Sequence, residues 1–277
     1  MRFLAPALLL LVAACGTETV SPAPPGSPPR YTGTGTVLEN AEHGPQFCTV
    51  VLESLPPGCS GADVVGWDWN AVAHESRNAV KWGEYTVVGT WDGTRLTLTE
   101  PPGEPRERVP DEPDPFASPC PVPDGGWRPV DPAKATERTL AAAMDVARRS
   151  PLFAGTWVDQ SHLGDGPVTE TEGNDPKRLV LNLRFTGDLQ ENERRVREVW
   201  GGALCVSPAA HTESELNAVQ SRVHRDFPAA QGSGVDTVGN RVSVQFYVVT
   251  DDLRRELDAK YGPGVVHASG VLLPVTD

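Results

Sequence analysis

The chain has 277 residues, 39% of them hydrophobic and 22% charged, with 27 prolines and 27 glycines. Its 37 acidic against 24 basic side chains leave a formal net charge of -13, which argues against partners held by a broad positive field, duplex DNA and anionic lipid surfaces among them. The length has room for about two folded units, and proline above the usual ~5% marks part of it as linker.

From Met1 the sequence runs through one basic residue, Arg2, and an apolar stretch into Val12-Ala13-Ala14-Cys15. The stretch is shorter than the ~20 apolar residues a membrane-spanning helix needs, so residues 1–14 read as a secretory signal. Val12-Ala13-Ala14-Cys15 resembles the lipobox of bacterial lipoproteins. That resemblance implies a diacylglyceryl group on the Cys15 thiol and a mature chain starting there, held to a membrane by lipid. An ordinary signal cut near an incidental cysteine is the alternative. Residues 15–30 are proline-rich without hydrophobic period and are expected to form a polyproline-like tether.

Residues 31–100 carry short alternating segments, Thr34–Glu39, Phe47–Glu53, Asp63–Trp69, Glu84–Trp91 and Arg95–Thr99, broken by Gly and Pro. Period-two alternation rich in Val, Thr and aromatics predicts strands, and five of them in so short a segment suit a small closed barrel, OB-like in size. The clearest hairpin joins Tyr85–Trp91 to Thr94–Thr99 through Asp92-Gly93, a pair suited to a type I′ turn. Trp67 and Trp69, two apart, share one face if they lie on a strand. They then form either a ligand platform or the filling of a small core.

Setting Cys15 aside, Cys48, Cys59, Cys120 and Cys205 are an even set in an exported chain. Four cysteines allow three pairings; the one favoured joins Cys48 with Cys59 around Pro56-Pro57-Gly58, leaving Cys120 with Cys205. Residues 101–130 are proline-rich and acidic and read as an exposed connector.

From 131 to 277 the periodicity turns helical, with strands between. Helices are expected over Ala135–Arg149, after Asp188, from Thr212 with Glu215 in capping-box spacing, and after Asp251 or Asp252. Strands are expected at Ala154–Val158, Arg178–Phe185, Ala203–Ser207, Gly234–Val238, Arg241–Val249 and Val265–Pro274. The order repeats: Arg178–Leu189 corresponds to Arg241–Leu253, and Trp200-Gly201 to Tyr261-Gly262. This predicts an α/β sandwich of two αββαβ units, 131–210 and 211–277, and an α+β protein as a whole. The element order resembles tandem BON-type modules of exported bacterial proteins, which implies envelope association. Gly35–Glu39, Ser54–Cys59, Val65–Trp69 and Asp258–Val266 are similar to segments of an actinobacterial lipoprotein family to which no activity is attached; that resemblance implies an extracytoplasmic location, lipid-anchored on the outer face of the cytoplasmic membrane.

The six histidines are scattered without an H-x-x-x-H pair, and a nucleophile elbow, P-loop and dinucleotide fingerprint are all missing from the sequence. No catalytic residue, cofactor or metal ligand is nominated. The expected function is a non-catalytic lipoprotein that binds an envelope component or another protein, without nucleic acid and in an unspecified oligomeric state. The alternative is an envelope hydrolase or transferase whose carboxylates converge only on folding.

Overall fold

A computed structural model describes residues 28–106, 116–164 and 169–276. The expected signal, Cys15 and most of the expected tether lie outside these residues.

The protein is α+β. Its first unit is a closed five-stranded barrel of β1 (Arg30–Glu39), β2 (Gln46–Leu52), β3 (Gly58–Val65), β5 (Val80–Trp91) and β6 (Arg95–Leu98), with a short edge strand, β4 (Glu75–Arg77), on β5. The barrel order is β1-β2-β3-β6-β5, and β5 closes it against β1 from Arg30↔Thr90 to Glu39↔Lys81. β3 and β6 run parallel; the other barrel pairs are antiparallel. Alternate residues fill the interior: Val37, Phe47, Ala62, Val64, Tyr85, Val87 and Leu96 form one buried cluster. Close strand contact needs glycine at position 61, where a Cβ would stand 2.3 Å from the Phe47 carbonyl oxygen.

Two local expectations are corrected. Asp92 lies opposite Arg95, its N–H donating to the Arg95 carbonyl, so the hairpin tip is Gly93-Thr94. The shift follows from the Asp92 carboxylate, whose Oδ1 takes the N–H groups of Thr94 and Arg95 at 2.9 and 2.7 Å. Trp67 and Trp69 are not on a strand: β3 stops at Val65, Gly66 turns the chain at φ +87°, and Trp69–Ala71 form a 3-10 turn capped by Asp68.

Two further three-stranded sheets follow. The first part contains α1 (Glu137–Arg148), β7 (Phe153–Asp159), the short α2 (Glu170–Gly173), β8 (Val180–Phe185), α3 (Leu189–Arg197) and β9 (Ala203–Pro208). The second contains α4 (Glu213–Asp226), β10 (Gly232–Asp236), β11 (Arg241–Phe246), α5 (Asp251–Tyr261) and β12 (Val266–Gly270). In both sheets the first pair is antiparallel and the second parallel. Helices cover one face of each. Leu181, Leu183 and Phe185 meet Ala143, Val196 and Trp200 in one core; Val242, Val244 and Phe246 meet Leu216, Val223 and Leu257 in the other.

Capping boxes start α1 at Thr136, α2 at Thr169 and α4 at Thr212 with Glu215. Asp188 does not cap α3 through its side chain; it sits at φ 50° while Asn192 Nδ2 donates to its carbonyl and to that of Gly187. Thr250, rather than Asp251 or Asp252, caps α5, its Oγ1 accepting from Leu253 N.

Segment 101–130 is docked at both ends. Gly103 exchanges backbone hydrogen bonds with Thr86, and Cys120 and Trp127 pack on the helix-free face of sheet β7-β8-β9. There Trp157 Nε1 donates to the Phe116 carbonyl, Cys120 is bonded to Cys205, and Trp127 packs with Val180 and Ala203. Asp159, buried at the edge of this face, accepts from the N–H and hydroxyl of Ser118 and of Ser161 at 2.6–2.7 Å. The second disulfide joins Cys48 to Cys59.

The expected strands Arg241–Val249 and Val265–Pro274 are both cut short for one reason. Tyr247 and Leu272 leave their sheet to enter the barrel core, and the chain end forms β13 (Leu273–Pro274) on β1, with Thr32 opposite Leu273.

Candidate functional site

The insertion of Tyr247 creates a cleft of about 460 Å³ between the barrel and the last sheet. One wall is β3 at Ser60–Ala62 with Trp91 and the Gly93-Thr94 tip; the other is the turn after α4, Asp226 to Gln231, with Phe246, Val248 and Leu253. Tyr247 stands between them. Its hydroxyl accepts from Ala62 N at 2.7 Å and donates to the Phe47 carbonyl at 2.9 Å, bridging two residues that face each other across β2–β3. The anchorage lies beside the register shift between Cys48 and Val50. Burial pushes the Tyr247 hydroxyl pKa above the ordinary tyrosine value, with the Ala62 hydrogen bond pulling the other way.

The Tyr247 ring stacks on Trp91, centroids 4.8 Å apart and planes inclined by 30°. The stacked pair lines the cleft with aromatic surface. At the opposite wall Asp226 accepts a 2.8 Å hydrogen bond from the Tyr261 hydroxyl, with Lys260 Nζ at 3.5 Å. The Tyr261 hydrogen bond and the lysine hold its carboxyl below the usual range. Desolvation, aided by Asp226, pushes the Tyr261 hydroxyl up to about 12. Asp226 is the one acidic residue lining the cleft among the described residues, so no carboxylate pair flanks it. Chemically, the site offers a stacking surface, a neutralised carboxylate and small hydroxyls at Ser60 and Thr94. That combination suits binding of a ring with polar edges.

Trp67 and Trp69 lie elsewhere, toward the Glu39 end of the barrel. Trp69 is buried and its Nε1 donates to Glu39 at 2.8 Å; Trp67 is half-buried. The two rings meet edge-on at 5.3 Å, and Trp67 meets Tyr85 in the same way at 4.9 Å. These rings pack against one another and against the barrel core. Arg184, half-buried, lies over Trp157 at 5.4 Å and donates to the carbonyls of Thr237 and Val238, tying the two helical parts together. Burial lowers its pKa.

Sequence reasoning missed Tyr247, Asp226 and Gln231 as cleft residues. The adjacent aromatics Phe246-Tyr247 carried the available signal: neighbours on a strand point to opposite faces, so one of two large apolar rings needs a second core.

Among the described residues no group of three or more His, Cys, Asp and Glu side chains is arranged to hold a metal ion, and no helix is long and apolar enough to cross a membrane. Two disulfides are what an oxidising, extracytoplasmic compartment permits. No protein-family model matches the chain, and no curated protein matches it in sequence.

Proposed function

We propose that this chain is a lipid-anchored, extracytoplasmic binding protein of the cell envelope, non-catalytic, with the Trp91–Tyr247 cleft as its ligand site. The observation that carries the reading is the preformed aromatic-walled cleft held open by Tyr247. A lipid on Cys15 supplies the membrane attachment, and the two disulfides suit the compartment it implies.

The barrel reads as an OB-type barrel. Its strand order, parallel closing pair and intervening turn after β3 support this, and barrels of that type bind ligands across the second and third strands and the turn between the fourth and fifth. The cleft uses β3 and that same turn. The two αββαβ runs read as tandem BON-type modules, with the second one carrying Tyr247 into the barrel. A net charge of -13 disfavours an oligonucleotide, so the ligand is a neutral envelope component, a saccharide ring stacked on Trp91 being the chemistry that fits.

Calorimetric titration with solubilised wall glycans tests the reading. Binding is expected for the native protein and to fall by about tenfold or more in Trp91→Ala, as loss of an aromatic stacking partner does. Equal binding by both proteins, or none by either, would sink it.

A further inference from the structure

Beyond the cleft, the hairpin arm formed by the ends of β2 and β3 has no apolar cover. Val50, Leu52 and Leu55 are 60%, 62% and 65% exposed, and Val51 between them 40%. Four large aliphatics exposed within six residues form a concentrated patch, whereas the other exposed large hydrophobics among the described residues, Val65, Phe116, Val122, Val130 and Leu273, are spread singly along the chain. Val51 points to the opposite face of the hairpin from Val50 and Leu52, so both faces of the arm are bare. A flat protein partner would cover one of those faces. A fluid apolar phase covers both.

The topology orients the arm. β1 enters the barrel at Arg30 and β2 returns antiparallel to it, with Val37 opposite Phe47, so Leu52 and the Leu55 turn lie toward the end where the chain enters. Exposed Leu273, opposite Thr32, is at that end too. The stretch from Gly16 to Pro29, which spans at most about 50 Å, leads from that end to Cys15. The Cys48–Cys59 disulfide braces the arm at its root, so little chain order remains to be lost on insertion. Between Val50 and Gly58 the one charged residue is Glu53, which confines any insertion to the headgroup boundary.

We propose that the β2–β3 arm is a membrane-contact tip: Val50, Val51, Leu52 and Leu55 enter the acyl–headgroup boundary of the bilayer to which the chain is held. The tip then sets the height and tilt of the barrel over the membrane and turns a single attachment into a two-point one. Its orientation toward the bilayer rests on lipid anchoring at Cys15. Because the contact is apolar, it is insensitive to salt on neutral lipid; on anionic lipid the acidic surface weakens it and added salt restores it.

The test reconstitutes the lipid-bearing full chain into phosphatidylcholine vesicles and follows amide hydrogen exchange over residues 50–58. Slower exchange on vesicles is expected, abolished in the double variant Leu52→Glu/Leu55→Glu and enhanced in Glu53→Gln. The Cys15→Ser chain, floated with the same vesicles at millimolar lipid, reads the tip without the anchor. Its partition is expected to fall by about tenfold or more with each leucine replaced. Unchanged exchange in a chain whose mass confirms acylation would overturn the tip and leave the anchor standing. A missing acyl mass would overturn the anchor, and flotation of the Cys15→Ser chain would then decide the tip alone. Protection that needs an added envelope protein, or that Glu53→Gln weakens, identifies a protein socket and overturns the proposal.

Discussion

The Tyr247 hydroxyl donates a 2.9 Å hydrogen bond to the carbonyl of Phe47, 200 residues earlier in the chain, and accepts another from Ala62 N. One side chain from the last sheet thereby completes the backbone pairing of the first barrel. Tyr247→Phe keeps the ring but strands a buried N–H and a buried carbonyl, at a cost of about 1–3 kcal/mol. Urea unfolding should show this as a lower midpoint with an unchanged slope.

The same residue predicts alkaline behaviour. Its folded pKa is raised by burial, so its contribution is fully present below pH ~10 and is lost as the pH rises through the folded value. Tyr261, pushed up to about 12, acts in the same sense. Stability measured from pH 9 upward should fall in the native protein and fall less steeply in Tyr247→Phe.

Asp159 has the opposite sign. Burial opposes its ionisation, but hydrogen bonds from Ser118 and Ser161 outweigh that and hold its carboxyl below the usual range. Its contribution is present above the ordinary carboxylate pKa of ~4 and is lost as the pH falls through the lower folded value. Asp159→Asn should cost about 1–3 kcal/mol at neutral pH, and the difference from the native protein should shrink on acidification. Chemical denaturation from pH 7 to pH 2 measures both.

The disulfides close loops of very different size, with 85 residues of separation for Cys120–Cys205 and 11 for Cys48–Cys59. Loop-closure entropy then assigns about 4.5 kcal/mol to the long loop and about 3 kcal/mol to the short one. Paired Cys→Ser variants should rank in that order by calorimetry. A larger loss from the short loop would show that bracing the arm, rather than restricting the unfolded chain, is its main effect.

For α5 the cap assignment is itself testable. Thr250→Ala should cost about 1 kcal/mol, whereas Asp251→Ala should cost a few tenths, because the hydroxyl of Thr250 holds the Leu253 N–H. Thermal unfolding of the two variants separates them.

Local rules read much of this chain. Alternation marked the barrel strands, the four-residue recurrence of Leu253, Leu257 and Tyr261 marked α5, and the spacing of Thr212 and Glu215 marked a real capping box. Those signals act between near neighbours, where a residue type and its spacing determine what the backbone can do. The same rules placed Asp92-Gly93 one residue off, because a single carboxylate took two N–H groups and moved the tip. They put Trp67 and Trp69 on a strand that a left-handed Gly66 ends. The cleft was beyond their reach altogether. It exists because β11 and β12 stop early and send Tyr247 and Leu272 into a barrel built from the other end of the sequence, and burying an aromatic ring in a distant core is a choice made only by tertiary packing.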